Sequence, residues 1–149
     1  MQADVRGLCN KDNFLKILDA EVKRACRYRT NLALCLMKVN FGQDEAASSN
    51  PAKERIISSL GESFAREIPS WDTLSRFGRK TFALLMPQSS IDEARQLCNR
   101  LERISEGSHS ESGCQKVSLA FGLTGLATDR EEKAADLIDR AAALFTKDS

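Results

Sequence analysis

Phe14, Ile17, Leu18, Val22 and Ala25 recur at three- and four-residue spacing, which predicts an amphipathic helix from about Asp12 to Tyr28 with a strongly charged outer face. After Thr30-Asn31 comes Leu32-Ala33-Leu34-Cys35-Leu36-Met37, an almost unbroken apolar run of strand length. That is the pattern of a central strand covered on both faces. The chain from Asn40 to Asn50 turns small and polar, and Asn50-Pro51 supplies an N-cap followed by proline at the first helical position. The helix that begins there carries Ile56, Ile57, Leu60, Phe64 and Ile68 on one side and stops at Pro69.

Two short strand-like runs follow, Thr73 to Phe77 and Phe82 to Met86, separated by Gly78-Arg79-Lys80-Thr81 as in a tight hairpin. Pro87 ends the second run, Ser90 and Glu93 form a capping box, and Ile91, Ala94, Leu97, Leu101 and Ile104 mark a third helix. A further strand spans Val117 to Leu123, and Asp129 with Glu132 is placed to cap a last helix bearing Ala134, Leu137, Ile138, Ala141, Leu144 and Phe145. The order helix, strand, helix, hairpin, helix, strand, helix indicates an α/β (α+β) fold. Its mixed central sheet is flanked by helices, a ferredoxin-like or polymerase-palm architecture.

Length sets the scale: 149 residues suit a single domain, 1–149, with no room for a separate sensor or output domain. With 22 Lys and Arg against 21 Asp and Glu, the net charge of +1 gives no electrostatic case for binding a nucleic-acid polymer. No apolar run approaches the roughly 20 residues of a membrane span, and the N-terminus lacks a signal pattern, so a cytoplasmic location is expected. Cys9, Cys26, Cys35, Cys98 and Cys114 form no CxxC pair, and Cys26, Cys35 and Cys98 lie on apolar faces as small hydrophobes, so neither a metal site nor a disulfide framework is expected. His109, the only histidine, sits in the polar stretch from Ser105 to Gly113, the composition of a loop.

Several strings, taken together and in order, resemble the bacterial GGDEF (diguanylate cyclase) domain. Arg6-Gly7-Leu8-Cys9-Asn10-Lys11 is similar to the turn that introduces the family's first helix, although Ala3 stands where an aspartate is usual. Leu32 to Asn40 resembles the central strand that ends in a DxD pattern, and Arg76-Phe77-Gly78-Arg79-Lys80-Thr81-Phe82 resembles RYGGDEF. Ala120-Phe121-Gly122 and Ala143-Leu144-Phe145 resemble a late strand and the terminal helix.

The resemblance implies the chemistry of joining two GTP molecules into cyclic di-GMP with divalent metal, which needs carboxylates. On this alignment Lys38 takes the place of the central-strand aspartate, and Lys80 and Thr81 take the place of the acidic pair in the signature turn Gly78, Arg79, Lys80, Thr81, Phe82. A lysine ammonium has no lone pair for a metal and repels a cation. No catalytic residue, metal ligand or cofactor is therefore expected, and the domain reads as a degenerate, non-enzymatic one. The family's inhibitory RxxD site falls on Pro69 and Asp72, leaving Asp72 as a remnant, and Phe41 to Ala46 carries no recognisable guanine-reading pair.

Two functional readings follow. The first is a regulatory or scaffolding module that works through a protein partner in cyclic di-GMP signalling. The second is a metal-independent sensor in which Lys38, Arg76, Arg79 and Lys80 accept a nucleotide or other anion, GTP or cyclic di-GMP among them.

Overall fold

The computed structural model describes residues 8–40, 50–108, 118–126 and 132–148. Ala3, Arg6, Gly7, Phe41 to Ala46, His109, Cys114 and Asp129 lie outside the described residues. The elements run β1 (Leu8–Cys9), α1 (Lys11–Tyr28), β2 (Leu32–Asn40), α2 (Asn50–Glu67), β3 (Thr73–Arg76), β4 (Thr81–Pro87), α3 (Ile91–Ser108), β5 (Ser118–Gly125) and α4 (Ala134–Asp148). The strands form one sheet in the order β1-β3-β4-β2-β5. Only β1 and β3 are parallel; the other neighbours are antiparallel, which makes the sheet mixed as the element order indicated.

Strand alternation sorts β2 between two cores. Leu32, Leu34 and Leu36 join Phe14, Leu18 and Val22 of α1 and Leu137 and Ala141 of α4. Ala33, Cys35, Met37 and Val39 join Ile57, Leu60 and Phe64 of α2 and Leu97, Cys98 and Leu101 of α3. Full burial of a Leu, Phe or Met side chain contributes about 1.5–3 kcal/mol, whereas an exposed pair such as Lys23–Asp19 contributes under about 1 kcal/mol, so the two apolar layers hold the fold. The Cys35 and Cys98 sulfurs touch at 3.4 Å across the second core, and burial pushes the Cys35 thiol pKa well up.

Local signals set the element ends. Asn10 accepts from the Asn13 backbone N–H and caps α1, and α1 ends on Arg29 in the left-handed region (φ 57°). Ser90 and Glu93 bond reciprocally at the start of α3, at 2.9 and 3.1 Å. The start of α4 departs from expectation. Asp136 accepts from the Lys133 N–H, while Glu132 is buried and paired with Arg140, which also donates to Thr124 and to the Gly125 carbonyl. Glu132 thus precedes α4 as a charge partner for a guanidinium, and the bond at the start of the helix is made by Asp136.

α4 lies directly on β5 at Gly122. A Cβ placed on Gly122 would sit 2.0 Å from the Ala141 carbonyl oxygen, inside any permitted contact. At Gly125 the nearest atom is instead the end of the flexible Ile91 side chain, at 3.1 Å. Gly122→Ala is expected to cost ~3 kcal/mol or more, the upper end for overpacking, and Gly125→Ala much less. Urea denaturation of the two variants checks this; equal midpoints would contradict it.

Candidate functional site

The turn between β3 and β4 is built mainly by one side chain. Thr81 accepts from the backbone N–H groups of Phe77 and Gly78 at 2.8 and 3.1 Å, which closes the loop. Arg76, the last residue of β3, donates from Nε to the Gly78 carbonyl at 3.0 Å and from a terminal nitrogen to the Arg79 carbonyl. Its guanidinium also forks onto Glu54 of α2, with both contacts at 3.0 Å. That hydrogen bonding holds the Glu54 carboxyl below its ordinary pKa. Glu54 is more than half exposed, so the ion pair is worth at most about 1 kcal/mol, and its effect is geometric.

The loop needs no special backbone from its own residues. Among the described residues, non-glycine positive φ occurs at Arg29 and Gln88, not at Arg79, and a Cβ on Gly78 would meet only Thr81 at an ordinary 3.6 Å. Arg79 is exposed at the tip, and Lys80 and Thr81 are half-buried.

Register joins this turn to β2. Lys38 pairs with Thr81 and with Ala120, and the Val39 N–H donates to the Lys80 carbonyl at 2.7 Å. Alternation puts Lys38 and Thr81 on the sheet face of Leu36 and Ala83, toward α1 and α4. Arg76 shares the opposite face with Leu74 and Phe82, beneath α2. Of the four cations read from the sequence, Lys38 and Arg76 therefore lie on opposite faces of the sheet, and the donors of Arg76 are engaged by Glu54 and two carbonyls.

Asp72 sits at the other end of the hairpin, roughly 13 Å of strand away from the turn. It lines an open groove of about 650 Å³ between α1, α3, the segment 69–72 and the end of β4. The carboxyl is buried, and its Oδ1 meets no donor among the described residues. Loss of solvation raises its pKa from 3.8 to about 6. Beside it Trp71 is 68% exposed.

The sequence matches the family model described as diguanylate cyclase, GGDEF domain, over residues 4–147. The chain belongs to the GGDEF family. Its fold is similar to the GGDEF domain of FimX from Pseudomonas aeruginosa, with a TM-score of 0.72 at 24% identity over 98% of this chain and 91% of that one. It is also similar to the GGDEF domain of DgcB from Caulobacter crescentus, solved with c-di-GMP, with a TM-score of 0.83 at 15% identity over 99% and 92% of the two chains. A third similar structure is the diguanylate cyclase SiaD of Pseudomonas aeruginosa, solved in complex with its activator SiaC. There the TM-score is 0.81 at 22% identity over 98% of this chain and 56% of that one. No curated protein matches the chain significantly.

In this GGDEF domain the sequence located the turn but missed what shapes it. Glu54 lies 22 residues before Arg76 and carries no local mark of its role. The resemblance marked Pro69 and Asp72, which line the groove, but not its walls from α1, α3 and the end of β4, which come from distant parts of the chain.

Because folding raises the Asp72 pKa, the folded domain binds this proton more tightly than the unfolded chain does. Stability falls as pH rises from about 4 to about 6 and bears the full cost of the buried charge above that window. Asp72→Asn is expected to stabilise the domain by ~1–3 kcal/mol at pH 8 and to leave it little changed at pH 4. Urea melts at the two pH values check this, and a variant no more stable than wild type at pH 8 would contradict it.

Proposed function

We propose that this GGDEF domain forms no cyclic di-GMP and acts as a regulatory or scaffolding module, through protein contacts, within cyclic di-GMP signalling. The observation that carries the reading is the pairing of Lys38 with Thr81, with the Lys80 carbonyl bonded to Val39 beside them. These neighbours stand at the three positions where resemblance to active members asks for carboxylates. A hard divalent cation is held by carboxylate oxygens, and two ammonium groups with a hydroxyl do not fit it. Among the described residues, no group of three or more Asp, Glu, His or Cys side chains gathers to hold a metal ion.

A protein partner agrees with the structure of SiaD, a diguanylate cyclase solved with an activator protein. No helix among the described residues is long and apolar enough to cross a membrane, and a cytoplasmic partner goes with this reading. The alternative, a metal-independent sensor of GTP or cyclic di-GMP at the basic turn, is favoured by the exposure of Arg79 at the tip. It is weakened by the engagement of Arg76 with Glu54.

Incubation of the purified domain with GTP and Mg²⁺ or Mn²⁺, followed by chromatography of the nucleotides, is expected to give no cyclic di-GMP. Formation of product would overturn the proposal. Titration calorimetry with GTP and with cyclic di-GMP, with and without Mg²⁺, separates the two readings, since the sensor alone requires binding heat that Arg79→Ala abolishes.

A further inference from the structure

We propose that the outer edge of β5 is a docking site for an extended segment of a partner protein, which adds there as a further strand of the sheet. The inference rests on the contact-module reading for the partner being a protein, and on the backbone of β5 for the kind of segment bound.

β5 has a neighbour on one side only, because it stands last in the order β1-β3-β4-β2-β5. The Leu126 N–H donates to the Leu32 carbonyl of β2 at 2.9 Å, so by alternation Thr124, Gly122, Ala120 and Ser118 turn their backbone groups toward β2 as well. Gly125, Leu123, Phe121 and Leu119 turn theirs outward. Arg140 takes the Gly125 carbonyl at 2.7 Å, which stops the edge at that end. Among the described residues, nothing bonds the outward N–H and C=O groups of Leu119, Phe121 and Leu123.

Sheet edges are ordinarily blunted by shortness, charge or proline. The opposite edge follows that rule, since β1 is two residues long. β5 runs for eight residues, Ser118–Gly125, without a charged residue or a proline. Leu119 is buried and Phe121 and Leu123 are half-buried on the face shared with α3, while Gly122 lies under α4 on the other. A row of donors and acceptors along a strand is complementary to another extended backbone, whereas a helix has spent the same groups on itself.

The occupant is a lone segment and not a second copy of this domain. α3 and α4 both rest on β5, one on each face of the sheet. Edge-to-edge pairing of two copies sets their β5 strands about 4.8 Å apart and crowds the like helices lying on them, which need about 8–10 Å. A single strand brings no helix. Its side chains on the α3 face lie beside Phe121 and Leu123, which calls for apolar residues at alternate positions, with small or polar ones between them on the α4 face.

The probe is a peptide of about seven residues that alternates valine with threonine and carries a lysine at each end. Titrated into the isotope-labelled domain, it is expected to shift the Leu119, Phe121 and Leu123 amide resonances and to slow their hydrogen exchange about tenfold or more at saturation. The Gly122 and Thr124 amides, which face β2, should change little. A counterpart peptide with proline at its centre should not bind. Phe121→Pro removes the central outward N–H at an edge position where proline is tolerated and should weaken binding about tenfold or more. Phe121→Leu keeps that N–H and should cost less than about threefold. Should Phe121→Pro fail to fold, the amide map of the wild type and the proline peptide decide alone.

The proposal is overturned if the alternating peptide shows no saturable binding, if the proline peptide binds equally well, or if the amide shifts are confined to the turn at residues 78–81. Edge amides that exchange slowly in the free domain, or that become protected when two copies associate, would overturn it too. Product in the cyclase assay would remove the non-enzymatic reading and leave the β5 edge as it is, so the two failures are distinguishable.

Discussion

Burial of β2 on both faces is the condition that places every other element. Its apolar run leaves no face for water, so two helical layers are needed, α1 with α4 over Leu34 and Leu36, and α2 with α3 over Cys35, Met37 and Val39. Both edges of β2 must be bonded as well, which puts β4 on one side and β5 on the other. The close seat of α4 on Gly122 follows from that arrangement, since α4 reaches the core only by lying against the β5 backbone.

What the sequence disclosed, and what it did not, divides along the range of the interactions. Periodicity at Phe14, Leu18 and Val22, the Ser90 and Glu93 box and the Gly78 turn are written in neighbouring residues and were legible. β1 is two residues long and exists because Leu8 and Cys9 pair with Leu74 and Ser75, so no local pattern announces it. Glu132 looked like a cap because its spacing fits one, yet Arg140 claims it across two helical turns. The opposed directions of Lys38 and Arg76 follow from the register of β2, β3 and β4, which sequence spacing alone does not fix.

The hairpin of β3 and β4 carries unlike chemistry at its two ends. At the turn, Arg76 is bound to Glu54 and to two carbonyls, while Arg79 is exposed at the tip. At the far end Asp72 is buried among Glu21, Arg24, Glu93 and Arg100 of the groove, and its Oδ1 meets no donor among the described residues. Two elements of the same sheet support both ends without coupling them through any shared side chain.

The way Arg76 grips the turn has a bearing on how such a chain changes over time. Shape is imposed on the loop from β3 and α2, by bonds to the carbonyls of Gly78 and Arg79, and those atoms are common to every amino acid. The Arg79 side chain, exposed at the tip, is not what closes the loop. A loop framed in this way can exchange the side chain at 79 and still present the same backbone, while Arg76 and Glu54 keep the frame.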